Sequence, residues 1–129
     1  MTPGPPHVLV VEDNALVTSA MRILLEDAGF RVSTAGTLSE AHATAQRDPP
    51  AAILLDLRLP DGDGLSLLKR LQEEGAPSSV VVALTGREEP EIRARCVRAG
   101  CVDVLLKPVD VRALGARLRA WLTSGAGST

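Results

Sequence analysis

Ala51-Ala52-Ile53-Leu54-Leu55-Asp56-Leu57-Arg58-Leu59-Pro60-Asp61-Gly62-Asp63-Gly64 passes from a continuous apolar run into turn formers, with a carboxylate at the junction. An apolar run of this length bounded by turn chemistry reads as a strand buried on both faces, which places Asp56 at the rim of a sheet. An Asp at such a point is often no more than a turn former or helix cap. Here, three other strand ends also carry reactive groups: Glu12 and Asp13 after Val8 to Val11, Thr85 after Val80 to Leu84, and Lys107 and Pro108 after Val102 to Leu106.

With Arg31 to Ala35 these runs make five strands, and between them the apolar period changes to that of helices. Val17, Ala20, Met21, Leu24 and Ala28 mark one face of a first helix, stopped at Gly29. A second helix runs from about Ser39, a capping residue, to Arg47; alanines are its only apolar face, so it should be the least firmly packed. The third, about Gly64 to Glu74, buries Leu67, Leu68 and Leu71 and ends at Gly75. In the fourth, about Glu88 to Ala99, Glu88, Glu89 and Glu91 precede Arg93, Arg95 and Arg98, the sense that suits the helix dipole. The fifth, about Asp110 to Thr123, turns Leu114, Leu118, Trp121 and Leu122 to one side, with Trp121 read as packing. Strand and helix alternating five times give an α/β fold, a doubly wound parallel sheet with right-handed crossovers. All four chemically equipped strand ends then share the carboxyl edge, where such sheets bind ligands.

At 129 residues, 45% hydrophobic and a net charge of −2, the chain reads as one soluble domain. No apolar stretch approaches the ~18 residues of a membrane span, and the N-terminus lacks the regions of a secretory signal, so a cytoplasmic location is expected. Cys96 and Cys101 lack metal-ligand spacing and read as reduced packing residues; His7 and His42 read as solvated. Basic residues are spread along helices and balanced by acids, so no nucleic-acid footprint is expected.

Glu12, Asp13 and Asp56 on neighbouring strand ends would crowd like charges that need a counter-cation. Oxygen ligands favour magnesium, with manganese also acceptable. Lys107 adds positive charge, Thr85 a hydroxyl and Gly86 an unobstructed N–H. Such a set suits phosphoryl transfer to a carboxylate, where positioning and charge neutralisation do most of the work.

From Val8 to Leu122 the sequence resembles the receiver domains of bacterial two-component response regulators. The resemblance is carried by Glu12-Asp13, the Asp56 to Gly64 stretch, Thr85-Gly86, Ala99-Gly100 and Lys107-Pro108, in this order and spacing. It implies the flavodoxin-like strand order 2-1-3-4-5 with five helices and one receiver domain over residues 7–123, while the Pro, Gly, Ser and Thr content of 1–6 and 124–129 reads as flexible tails. It also implies that Asp56 accepts a phosphoryl group from a histidine kinase or histidine phosphotransfer protein. Magnesium would be held by Asp13, Asp56 and the Arg58 carbonyl, with Glu12 acting through water. Thr85, Lys107 and the N–H groups of Arg58 and Gly86 would bind the phosphoryl oxygens, and the bond to Pro108 would be cis. Such a domain is a switch rather than a turnover enzyme, promoting only its own phosphorylation and slow dephosphorylation. It would signal to a downstream protein or output domain, or through a homodimer formed by the fourth helix, fifth strand and fifth helix.

Two features depart from the family pattern. Receivers usually carry Tyr or Phe three residues before the lysine as a rotamer switch, and here Val104 stands there. Arg58, two residues after Asp56, and Arg87, two after Thr85, flank the pocket mouth, either to influence hydrolysis or as ordinary solvated arginines. Two other classes are weighed. A receiver-like module that never uses phosphate would have no reason to retain five polar groups that cost energy to crowd together. An Asp-nucleophile phosphatase would need a second Asp where Arg58 stands.

Overall fold

The computed structural model describes residues 4–87 and 89–123. Met1 to Pro3 and Ser124 to Thr129 of the expected tails, and Glu88 of the expected fourth helix, lie outside them. In chain order the elements are β1 His7–Val11, α1 Ala15–Asp27, β2 Arg31–Ala35, α2 Leu38–Arg47, β3 Ala52–Asp56, β4 Arg58–Leu59, β5 Gly62–Asp63, α3 Leu65–Glu73, β6 Val80–Thr85, α4 Pro90–Ala99, β7 Asp103–Leu106 and α5 Val111–Thr123. β4 and β5 form a short antiparallel ribbon of their own. The other five strands make one parallel sheet in the order β2-β1-β3-β6-β7, which is 2-1-3-4-5 once the ribbon is set aside.

Alternation along the buried strands divides the core. Leu9, Val11, Ile53, Leu55, Val81 and Ala83 face α2, α3 and α4, while Val8, Val10, Leu54, Val82 and Leu84 face α1 and α5. The chain steps from β1 outward to β2 and then crosses back to β3, so the strand order reverses between β1 and β3. Glu12 and Asp13 follow β1 at that point and Asp56 ends β3 beside it. Asp56 is itself a strand residue, opposite Leu84, and Thr85 is another, opposite Leu106.

Several local expectations are corrected. The buried face of α1 is Met21 and Leu25 flanked by Val17 and Ala28; Ala20 and Leu24 are exposed, a rotation of the helix from the expected face. Thr37 rather than Ser39 caps α2, its hydroxyl accepting from the Glu40 N–H at 3.1 Å. α2 buries Ala41, His42, Thr44 and Ala45, so it is not the least firmly packed helix. That description belongs to α4, where Cys96 alone is buried among the described residues. α4 starts at Pro90 with Glu89 as its cap, and ends at Gly100, whose φ of 104° favours glycine. Pro6 is tied down, its carbonyl accepting from the Arg31 N–H at 3.0 Å.

Neither histidine is solvated. His7 lies in β1 between two neighbouring strands and shares a hydrogen bond with the Ser33 hydroxyl at 2.7 Å. His42 is turned toward the end of α3, its Nε2 2.6 Å from Glu74 Oε1. Cys96 and Cys101 are free and buried in one cluster. Among the described residues no helix is long and apolar enough to cross a membrane.

Candidate functional site

The carboxyl ends of β1, β3, β6 and β7 open into a cleft of about 1040 Å³ whose lining includes Glu12, Asp13, Asp56, Thr85, Gly86 and Lys107. At its centre is a cation bridging two buried carboxylates: Lys107 Nζ donates to Asp56 Oδ2 at 2.7 Å and to Glu12 Oε2 at 2.9 Å. The Lys107–Pro108 peptide bond is cis. Asp56 Oδ1 accepts the N–H of Arg58 at 3.2 Å. Gly64 is required by close approach, since a Cβ there would strike the carbonyl oxygen of Asp56. Its own N–H donates to Leu57 O at 3.0 Å, closing the loop that carries the ribbon.

The shared proton falls unevenly on the buried acids. Burial, with a hydrogen bond shared with Asp56, pushes Glu12 up to about 7 against the pull of Lys107. Burial also works against ionisation of Asp56, but hydrogen bonds with Glu12, Lys107 and the Arg58 N–H outweigh it and hold Asp56 below the ordinary carboxylate range. Partial burial disfavours the charged Lys107, yet its bonds to Asp56 and Glu12 raise its pKa. Asp56 is therefore an ionised carboxylate held rigidly at the mouth of an open cleft, the state a nucleophile needs.

One oxygen from each of Glu12, Asp13 and Asp56 lies within 4.8 Å of the others, with Asp13 exposed and the other two buried. An all-oxygen donor set with one face open to water, and one carboxyl pushed toward neutrality by burial and by its bond with Asp56, fits a hard divalent cation such as magnesium.

Not every expected group is aimed into the cleft. The Thr85 hydroxyl is engaged with its own loop, accepting the Arg87 N–H at 3.1 Å and lying 3.3 Å from Arg87 O. Val104 is buried against a small cavity of about 130 Å³, also lined by Thr85, Ile92 and Leu106. Some contributors carried no assigned role in the sequence. Asn14 caps α1 through the N–H groups of Leu16 and Val17 and lines the cleft. Asp61 reaches across to α2 and accepts the N–H groups of Leu38 at 2.8 Å and Ser39 at 3.1 Å. Asp63 pairs with Arg95 of α4. The turn-rich run Pro60 to Gly64 signalled a loop, but its targets lie on other helices.

Comparison with known proteins agrees with this geometry. Residues 8–119 match the response regulator receiver domain family. The transcriptional regulatory protein PhoP of Escherichia coli K12 is 35% identical over 121 residues, covering 94% of this chain and 54% of PhoP. The probable transcriptional regulatory protein TcrX of Mycobacterium tuberculosis is 36% identical over 118 residues, covering 92% of this chain and 50% of TcrX. The chain thus spans about half the length of the curated relatives it matches. Among solved structures, a CheY-like receiver domain protein from Methanospirillum hungatei superposes with a TM-score of 0.86 at 25% identity, covering 94% of this chain and 96% of that one. With the match spanning nearly the whole fold and the acidic cleft at its switch point, the chain belongs to the response regulator receiver domain family.

Proposed function

We propose that the chain is a phosphoacceptor signalling switch in which Asp56 receives a phosphoryl group from a phosphohistidine of a histidine kinase or phosphotransfer protein. The observation that carries this is the Lys107 bridge between Glu12 and Asp56, which keeps Asp56 ionised and presents a cation where phosphoryl oxygens would arrive. In the transfer, a carboxylate oxygen of Asp56 bonds to phosphorus as the phosphorus–nitrogen bond breaks, and the imidazole leaves with the electron pair and takes up a proton. The product is an acyl phosphate, which water slowly returns to carboxylate and inorganic phosphate. Lys107 shifts its bonds to the new oxygens, Thr85 turns from Arg87 toward them, and the N–H groups of Arg58 and Gly86 add donors.

Asp13, Asp56 and the Arg58 carbonyl would hold magnesium or manganese, with Glu12 acting through water. When bound, the cation neutralises the charge that otherwise bars a dianion from an acidic cleft. A protein donor is favoured over a small molecule alone by α1, which begins beside the cleft at Asn14 and leaves Leu16 83% and Ile23 64% exposed. On the output side, Val97 and Leu106 are exposed on α4 and β7, and a downstream protein, an output domain or a second copy engages that face.

The test is incubation with magnesium and a small acyl-phosphate donor, read by intact mass. Wild type gains one phosphoryl group, and Asp56→Asn and chelator-treated protein gain none. Equal labelling of Asp56→Asn, or labelling indifferent to the chelator, would overturn the assignment.

A further inference from the structure

The switch position of the family pattern offers little leverage here. Val104 is β-branched, stiff at χ1 and buried beside a cavity of about 130 Å³, so movement of Thr85 meets empty space rather than a ring. A different set of contacts runs from the phosphoacceptor to the same helix. Asp56 Oδ1 accepts the Arg58 N–H at 3.2 Å, and Arg58 stands opposite Asp63 across the β4–β5 ribbon. Asp63 accepts the Leu65 N–H at 2.9 Å through Oδ1, anchoring α3, and pairs through Oδ2 with Arg95 of α4. Arg95 and Asp63 both line the cleft that holds Asp56.

α4 is poised to respond to such a link. Cys96 alone is fully buried among its described residues, with Ile92 and Ala99 partly buried against the core, and polar contacts supply much of its remaining anchorage. Arg93 reaches Val104 O at 3.4 Å and Asp103 at 3.7 Å, and Gln72 donates to Ala99 O at 3.2 Å. The tie to the pocket loop is the Arg95–Asp63 pair.

We infer that the Arg95–Asp63 ion pair couples the state of Asp56 to the position of α4, an assignment that rests on the phosphoacceptor reading above. A phosphoryl group carries about −1.5 to −2 charges at pH 7, and because it takes the place of the carboxylate charge of Asp56 the pocket gains roughly one negative charge, spread over three outward oxygens. Bound to Asp56, it draws the Arg58 N–H onto a phosphoryl oxygen, shifts the ribbon, and competes with Asp63 for the Arg95 guanidinium. Charging the pocket therefore slackens the tie between α4 and the ribbon. The guanidinium interacts differently with the two states, which is the requirement for shifting an equilibrium.

Hydrogen exchange of wild type, Arg95→Gln, Asp63→Asn and the double variant, in magnesium throughout and with and without beryllofluoride, tests the link. Acyl-phosphate labelling of each protein, read by intact mass, runs in parallel. In wild type the mimic protects residues 57–64 and speeds exchange in 90–99 about two- to fivefold, the range that a half-exposed ion pair supports. In either single variant the response of 90–99 disappears while that of 57–64 persists, and the double variant matches the singles. A wild-type response of 90–99 in Arg95→Gln, or effects of the two substitutions that simply add, overturns the link while labelled Asp56 leaves the phosphoacceptor reading standing. Absence of labelling in wild type overturns both together.

Discussion

On one face of the sheet, α1 and α5 bury Met21, Leu25, Leu114 and Leu118 against the strands, with Phe30 filling the space between. On the other, α4 buries only Cys96 fully, packs Ile92 and Ala99 partly against the core, and adds polar contacts from Arg93, Arg95 and the Gln72 bond to Ala99 O. Apolar burial is non-directional and strong per side chain; ion pairs between half-exposed groups are weak and respond to nearby charge. The first kind of packing makes a frame that a charge change at the carboxyl edge does not disturb. The second makes a helix whose lighter apolar packing leaves a larger share of its anchorage to electrostatics, placed beside a cleft whose chemistry changes charge.

The largest expected contrast follows directly. Leu114→Ala should cost about 2 to 5 kcal/mol, the transfer term plus the cavity in a packed face. Val97→Ala, on the exposed side of α4 at 62% exposure, should fall within about 0.5 kcal/mol of wild type. Urea unfolding with a common m-value measures both. Similar losses in the two variants would show that α4 is as much a part of the frame as α5.

A smaller effect, specific to the cleft between the faces, should appear in the pH dependence of stability without metal. Glu12 has its pKa raised from 4.5 to about 7, so the folded state binds its proton more tightly than the unfolded state. Its contribution is fully present below about pH 4.5 and is lost as pH rises through about 7. In chelator, stability should therefore fall between pH 5 and 8 by up to roughly 3 kcal/mol, and Glu12→Gln should flatten that slope. Asp48, Asp61 and Glu74 are held below their ordinary values by Arg31, by the Leu38 N–H and by His42 respectively, so their contributions are lost only as pH falls below this window. Magnesium at pH 8 should recover stability in wild type. An unchanged slope in Glu12→Gln would mean that the burial of Glu12 beside Asp56 is not what destabilises the metal-free cleft.

The frame was legible in the sequence because strands buried on both faces leave continuous apolar runs, and the residues that end them leave the cleft equally visible. Asp56, Glu12, Asp13, Thr85 and Lys107 all line one cleft once the strands are ordered, although the Thr85 hydroxyl is turned to Arg87. The helix faces were less legible. α1 carries exposed Leu16, Ile23 and Leu24 beside its buried residues, so its apolar period admits two rotations and only the packed fold chooses. The buried histidines were illegible for another reason: Ser33 lies 26 residues from His7 and Glu74 lies 32 from His42, so nothing local marks their partners. The Arg95–Asp63 pair is of the same kind, a tertiary contact between residues 32 apart that each read as ordinary surface charge.

The finest test uses the two cysteines as reporters of α4. Burial, with Cys96 alongside, pushes the Cys101 thiol up to about 12, and burial raises Cys96 as well. The thiolate is the nucleophile, so at pH 8 the folded protein should react with a thiol reagent only when α4 lifts from the sheet. Cys96 lies on α4, and Cys101 follows the glycine that ends it. Arg95→Gln removes a contact worth less than about 1 kcal/mol and should raise the labelling rate about two- to fivefold. Leu114→Ala weakens the opposite face far more, yet local opening of α4 leaves that face intact, so the rate should stay near wild type. Acceleration by Leu114→Ala equal to or greater than that by Arg95→Gln would mean that α4 opens only when the whole domain unfolds. The two faces would then be one cooperative unit, and an electrostatic tie on α4 could not be moved independently of the frame.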